Sequence, residues 1–176
     1  MTALITRDEL AEDLSRIGLE RGDAVVLHSS LRSMGRVDGG PETVIATLRD
    51  VLGPNGLLVA PTYTYWTQHF DPSIEPSLTG RITEAIRLSP GAVRSWHPTH
   101  SVAAIGNGAA ALCAGHHLVG AVSRGSPLDR LAARGGKVLL LGVGHVANST
   151  IHVGEVHANV PTSTFRSAPT VSEPPR

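Results

Sequence analysis

The chain has 176 residues, a formal net charge of zero and only 17% charged side chains, with 41% hydrophobic residues and 3% aromatic ones. That is enough for one domain with a sizeable core and too little for two ordinary ones. The charge balance shows neither a nucleic-acid footprint nor an acidic tail, and the shortage of aromatic residues leaves the core to Val, Leu, Ile and Ala. The amino terminus lacks the basic-then-apolar order of a secretory signal, and no apolar run approaches the roughly 20 residues of a membrane span, so a cytoplasmic protein is expected. The single cysteine, Cys113, excludes an internal disulfide and sits in an alanine-rich stretch that suits a packed residue.

In chain order, Thr6 and Glu9 have the spacing of a capping box, and the stripe Leu10, Leu14, Ile17 and Leu19 predicts a helix over about residues 7–17. After Gly18 and Gly22, Ala24-Val25-Val26-Leu27-His28 reads as a buried strand. Pro41 suits a first helical position, and Val44, Ile45, Leu48, Val51 and Leu52 give that helix an apolar face. Pro54-Asn55-Gly56 predicts a turn and Leu57-Leu58-Val59-Ala60 the next strand. Residues 61–76 gather Tyr63, Tyr65, Trp66, His69, Phe70 and Asp71 without a period, as an ordered loop over a cleft would. A short helix over 79–88, a strand over 102–105, an alanine-rich helix over 107–114 and a helix opening at Ser126-Pro127-Leu128 follow. Strands alternating with helices predict an α/β fold with a mostly parallel or mixed sheet, occupying residues 1–162. Residues 163–176 carry Pro169, Pro174 and Pro175 and no period, so a disordered tail is expected.

The stretch from Lys137 to Glu155 is the candidate site. Val138-Leu139-Leu140-Leu141 is an aliphatic run closed by Gly142 and Gly144, and it predicts a central strand buried on both faces. Asn148, Ser149 or Thr150 is the expected cap of a following helix that carries His152 in its first turns and Glu155 three residues on, on the same face. Polar groups leaving the end of a central strand are where open α/β sheets keep their chemistry. Histidine exchanges a proton near neutral pH, so His152 is the candidate general base, the bland alternative being a cap or core histidine.

Ser29, Ser30 and Ser33, with Gly35, Gly39 and Gly40 ahead of the Pro41 helix, offer hydroxyls and bare amides to a phosphate. Arg32 and Arg36 either add charge there or are solvated surface residues. His97-Pro98-Thr99-His100, taken with His152 and Glu155, also has the residue types of a metal site, the basis of a metal-dependent hydrolase as an alternative. A stiff turn with one packed imidazole is the preferred reading, and no metal is expected. His116, His117, His145 and His157 are expected at the surface, and His28 in a structural role.

Several of these stretches together resemble one family. They are residues 24–31 with Gly35, Gly39, Gly40 and Pro41; Pro61-Thr62-Tyr63; Phe70-Asp71-Pro72; residues 80–84; Arg94-Ser95-Trp96-His97-Pro98-Thr99-His100-Ser101; Gly125-Ser126-Pro127-Leu128; and residues 136–144 with Asn148-Ser149-Thr150-Ile151-His152 and Glu155. In constant order from about residue 22 to 161, they resemble the aminoglycoside 3-N-acetyltransferases, the antibiotic acetyltransferase family. The resemblance implies a single-domain α/β/α sandwich. It also implies antibiotic resistance by transfer of acetyl from acetyl-coenzyme A to the 3-amino group of a deoxystreptamine antibiotic, by a monomer or homodimer with small-molecule partners.

By that resemblance His152 is the general base. Glu155 either supports the imidazole or binds the substrate's ammonium groups. The segment with Ser29, Ser30, Leu31, Arg32, Ser33, Gly35 and Val37 lines the pantetheine and pyrophosphate of the cofactor, with His100 and Ser101 as further cofactor neighbours. Tyr63, Asp71 and Glu84 are candidates for the substrate face, because carboxylates beside rings suit a polycation; each is equally readable as loop packing. Members of the family usually continue further, with more strands and a carboxylate that supports the histidine. The domain is therefore expected to be C-terminally incomplete, and a non-catalytic remnant that retains coenzyme A binding stands as the alternative to an enzyme.

Overall fold

The computed structural model describes residues 4–64 and 70–161. The chain opens with β1 (Leu4–Ile5) and α1 (Arg7–Arg16). The start of α1 is closed by a capping box: Thr6 Oγ1 accepts the Glu9 amide at 3.3 Å, and Glu9 Oε2 accepts the Thr6 amide at 2.8 Å. β2 (Ala24–Ser29), α2 (Leu31–Met34), β3 (Arg36–Val37) and α3 (Gly40–Leu52) follow, then β4 (Leu57–Pro61), α4 (Arg81–Leu88) and β5 (Val93–Arg94). β6 (Val102–Gly106), α5 (Ala109–Cys113), α6 (Pro127–Ala133), β7 (Lys137–Leu141) and α7 (Ile151–His157) complete it.

The five strands of the main sheet lie in the order β5-β6-β4-β2-β7. β2 pairs in parallel with β4 and with β7, while β6 runs antiparallel to both β4 and β5, so the sheet is mixed. Side chains alternate across it with the period of two that strands impose. On one face Val25, Leu27, Leu58, Ala60 and Leu139 pack against Leu14 of α1, Leu48 and Leu52 of α3 and Ile86 of α4. On the other, Val26, Val59, Val102 and Ala104 meet Leu112 of α5, Leu128 and Leu131 of α6 and Val153 of α7. Each fully buried aliphatic side chain of this kind contributes about 1.5–3 kcal/mol, so two separate clusters hold helices to both faces. Cys113 belongs to the second cluster; its Sγ donates to Val93 O at 3.4 Å, and burial pushes the thiol up to about 12.

β7 corrects one expectation. It is not buried on both faces: it pairs with β2 alone among the described residues, Val138 is 40% exposed, and Leu139 is its one buried residue. An aliphatic run reports low polarity and strand propensity, and neither says how many neighbours a strand has. Tyr65, Trp66 and His69 of the cleft loop and the tail at 163–176 lie outside the described residues. No helix among the described residues is long and apolar enough to cross a membrane.

Candidate active site

The strand directions bring four distant segments to one edge of the sheet. β2, β4 and β7 end there, and β6, being antiparallel, begins there. The chain leaves β2 for β4 on one side and later adds β7 on the other, so the carboxyl end of β2 is the point where strand order reverses, the usual place for a ligand crevice. His28 and Ser29, Thr62 and Tyr63, residues 97–101 and residues 142–155 all gather at this edge. A close approach underlies it: the Ser30 amide donates to Leu141 O at 3.0 Å, and a β-carbon on Gly142, which has φ +71°, would lie 2.8 Å from Ser30 O.

His152 stands in the first turn of α7 with Nδ1 2.7 Å from Glu155 Oε2, and both side chains are about one-third exposed (35% and 38%). A carboxylate can only accept, so Nδ1 carries the hydrogen and Nε2 is the basic nitrogen. Thr150 occupies the cap position of α7 without capping it; its hydroxyl faces His28 Nε2 at 3.4 Å, while Asn148 Oδ1 accepts the Thr150 amide at 3.1 Å. Burial pushes His28 down to about 4, so it is neutral at physiological pH.

A column of imidazoles backs the site. The His100 ring lies 4.6 Å from the ring of Tyr63 and 5.8 Å from that of His97, which in turn is 4.6 Å from His116. His97 Nδ1 accepts the His100 amide at 2.9 Å and so closes the His-Pro-Thr-His turn. His116 is fully buried, not at the surface as expected: Ser95 Oγ pairs with its Nδ1 at 2.8 Å and Ala121 O with its Nε2 at 3.0 Å. Two internal partners offset the desolvation that its two-residue motif gave no sign of. Burial pushes His97 to about 3 and His116 to about 4. Burial also lowers His100, and a charge on His152 lowers it further, which places the two imidazoles within electrostatic reach of each other.

The remaining candidates divide. Tyr63 donates to or accepts from Ser149 Oγ at 2.6 Å, and burial pushes its phenol up to about 12. It lines a cleft of about 240 Å³ with His28, Ser29, Thr79 and Ser149. Leu31, Arg32, Gly35 and Val37 instead line a second cavity, of about 440 Å³, together with Arg36 and Arg81. Ser30 and Ser33 line neither: Ser30 Oγ accepts the Ser33 amide to cap α2 and pairs with Ser33 Oγ at 2.9 Å.

Ser101 is fully buried and its hydroxyl donates to Thr62 O at 2.8 Å, so it braces the start of β6. Glu84 is held below the usual carboxylate range by the guanidinium of Arg87, at 2.7 and 2.8 Å, and also accepts the Ser77 amide. Asp71 accepts both the hydroxyl and the amide of Ser73, which lower it likewise. Both carboxylates thus make the loop contacts that were the alternative reading of each. Arg81 is the cavity residue that the sequence does not reveal, since nothing in its own stretch separates it from a solvated helix residue. Among the described residues no three His, Cys, Asp or Glu side chains are placed to hold a metal ion.

Residues 26–174 match the family model described as aminoglycoside 3-N-acetyltransferase. The chain is 42% identical over 183 residues to aminoglycoside N(3)-acetyltransferase VII of Streptomyces paromomycinus, covering 92% of this chain and 64% of that protein. It thus spans just under two thirds of that relative's length. It is similar to the solved AAC-IIIb binary complex with CoASH, with a TM-score of 0.81 and 34% identity over 87% of this chain and 65% of that one. It is also similar to a histidine-to-alanine variant of AAC(3)-IVa in complex with a gentamicin, with a TM-score of 0.87 and 35% identity over 92% and 63% of the two chains.

Proposed function

We propose, because the chain belongs to the aminoglycoside 3-N-acetyltransferase family, that it moves acetyl from acetyl-coenzyme A to the 3-amino group of a deoxystreptamine antibiotic, with His152 as general base. The observation that carries this is the pairing of His152 with Glu155 at the exit of β7, beside the end of β2. Acetyl-coenzyme A brings an acyl carbon activated by its thioester. An amine attacks that carbon only when neutral, and an alkylammonium group at pH 7 is largely protonated, so a base must take its proton.

The ammonium group first releases one proton to solvent; His152 Nε2 then takes a second from the attacking neutral amine as the nitrogen–carbon bond forms, and returns that proton to the sulfur as the carbon–sulfur bond breaks. Glu155 accepts the Nδ1 hydrogen throughout, which fixes the tautomer and stabilises the imidazolium between the two transfers. Burial lowers His100, which disfavours a competing positive charge near His152. The chain's own residues fit the cofactor: the inner cleft beside Ser29 and Tyr63 is of a size for an acyl group, and the outer cavity beside Arg32 and Arg36 is basic.

Thiol release from acetyl-coenzyme A in the presence of kanamycin or gentamicin, measured beside calorimetric titration with coenzyme A, tests this. His152→Ala is expected to abolish transfer and leave coenzyme A affinity unchanged. Unchanged turnover in that variant would place the base elsewhere. Binding without turnover by the wild-type chain would reduce it to a coenzyme A-binding module.

A further inference from the structure

His152 rides on a helix that cannot place itself. α7 has seven residues, with Gly154 at its centre and the β-branched Val153 and Val156 on either side of it, and Thr150 stands at its cap position without capping it. So short a helix of such residues is unstable alone, and tertiary contacts set its position. Val153 and Val156 anchor one face in the second core cluster. The aim of the first turn, where His152 stands, is left to the segment just ahead of it. That segment is tightly wound: Asn148 O, Ser149 O and Thr150 O accept the amides of Ile151, His152 and Val153 at 3.3, 3.2 and 3.1 Å.

Two central strands reach this segment. From the end of β2, His28 Nε2 faces the Thr150 hydroxyl at 3.4 Å; from beyond the end of β4, Tyr63 Oη pairs with Ser149 Oγ at 2.6 Å. The tyrosine contact is the shorter, and its owner is held on every side. The amides of Thr62 and Thr64, flanking Tyr63, donate to Ser101 O and Thr99 O at 2.8 and 3.1 Å, and Tyr63 O accepts the Leu78 amide at 2.9 Å. The Tyr63 ring rests against that of His100, with 4.6 Å between centres. A fixed main chain and a supported ring leave the phenol oxygen little freedom, so it is a post against which Ser149 is located. Ser149 then holds the His152 amide through its own carbonyl.

We infer that Tyr63 is a positioning residue for the general base: its hydroxyl, through Ser149, fixes the turn that aims His152, and it acts on neither the acyl carbon nor the amine. The catalytic consequence rests on the proposed function; the support of the turn does not. Without the phenol oxygen the first turn of α7 loses its contact with the end of β4, and Nε2 of His152 spends less time in line with the attacking amine. Misplacing a catalytic group by about 1 Å costs up to about a hundredfold in rate.

Tyr63→Phe, which keeps the ring and its contact with His100, tests this in the full chain beside Ser149→Ala, the double variant and Ser149→Thr. Steady-state thiol release gives kcat and KM, and amide hydrogen exchange followed by NMR reads the turn directly. Tyr63→Phe and Ser149→Ala are each expected to lower kcat about tenfold with both KM values within about twofold, and to speed exchange at His152 and Val153 by about five- to tenfold, the weight of one hydrogen bond. Val26 and Val59 in the sheet are expected to stay as protected as in the wild-type chain. The double variant is expected to be no worse than either single one, and Ser149→Thr, which keeps a hydroxyl, to restore both readouts. Unchanged exchange at His152 in Tyr63→Phe, faster exchange with kcat intact in a chain that turns over, or losses that add in the double variant overturns the inference. Tyrosine-dependent exchange in a chain that transfers no acetyl supports it and counts against the proposed function alone.

Discussion

Nδ1 of His152 lies 2.7 Å from Oε2 of Glu155, one helical turn apart in α7. Glu155→Gln keeps an acceptor for the Nδ1 hydrogen and removes the charge that stabilises the imidazolium. Turnover is expected to fall by about 10² or more with coenzyme A affinity unchanged, since a neutral partner supports the wrong protonation state of the pair. Steady-state thiol release checks it. A raised KM for the antibiotic with kcat intact would assign Glu155 to the substrate's ammonium groups instead.

His28, His97 and His116 are buried, and burial moves them from 6.5 to about 4, about 3 and about 4. Each accepts its proton in the unfolded chain well before it does in the folded one, so the unfolded state binds more protons between these values. Stability present above about 6.5 is therefore lost as pH falls toward 4, each histidine adding up to about 1.4 kcal/mol per pH unit. Urea unfolding between about pH 7 and pH 4.5 measures the slope. His116→Phe is expected to lower stability at neutral pH and to flatten the slope by one proton's worth; an unchanged slope would mean His116 titrates normally.

Gly142→Ala sets a β-carbon 2.8 Å from Ser30 O and 3.1 Å from Met34 Cγ, at a backbone φ of +71°. The carbonyl belongs to the loop that enters α2, so relief of the clash moves that loop. The left-handed conformation and the contact together are expected to cost about 1–3 kcal/mol. Coenzyme A affinity is expected to fall as well, because that loop carries α2, whose Leu31 and Arg32 line the outer cavity. Thermal unfolding and calorimetry on the same sample test both, and a variant with wild-type values in each would show that the junction has slack.

The Arg94 guanidinium lies 5.1 Å from the centre of the Phe70 ring and donates to Thr62 O at 2.7 Å, to Ser101 Oγ at 3.0 Å, and to the carbonyls of Pro72 and Glu75. Burial pushes it down to about 10. Arg94→Lys keeps the charge but lacks the planar fork, so one ammonium group cannot serve Thr62 O, Ser101 Oγ and the carbonyls of Pro72 and Glu75 together. A loss of about 2–4 kcal/mol is expected in urea unfolding, and one under about 0.5 kcal/mol would show that the fork is dispensable.

Order of residues alone made α1, α3, α4 and α6 and the strands β2, β4, β6 and β7 legible, because caps, glycine breaks and apolar periods act within a few residues of one another. The placement of His152 and Glu155 on one helical face was legible for the same reason. What each polar group spends its hydrogen bonds on was not. Ser101, Glu84 and Asp71 look like site residues in their own stretches; Ser101 is buried against Thr62, Glu84 pairs with Arg87, and Asp71 bonds Ser73 within its exposed loop. His116 looks like a surface residue and is enclosed by Ser95 and Ala121. β7 reads as a central strand and lies at the edge of the described sheet. Arg81 joins Arg32 and Arg36 on one cavity only where α4 meets the segment that holds them. Local periodicity is set by neighbours along the chain, whereas the partner of a buried hydroxyl, the rank of a strand in its sheet and the meeting of distant charges are set across it, by packing that no short window of residues contains.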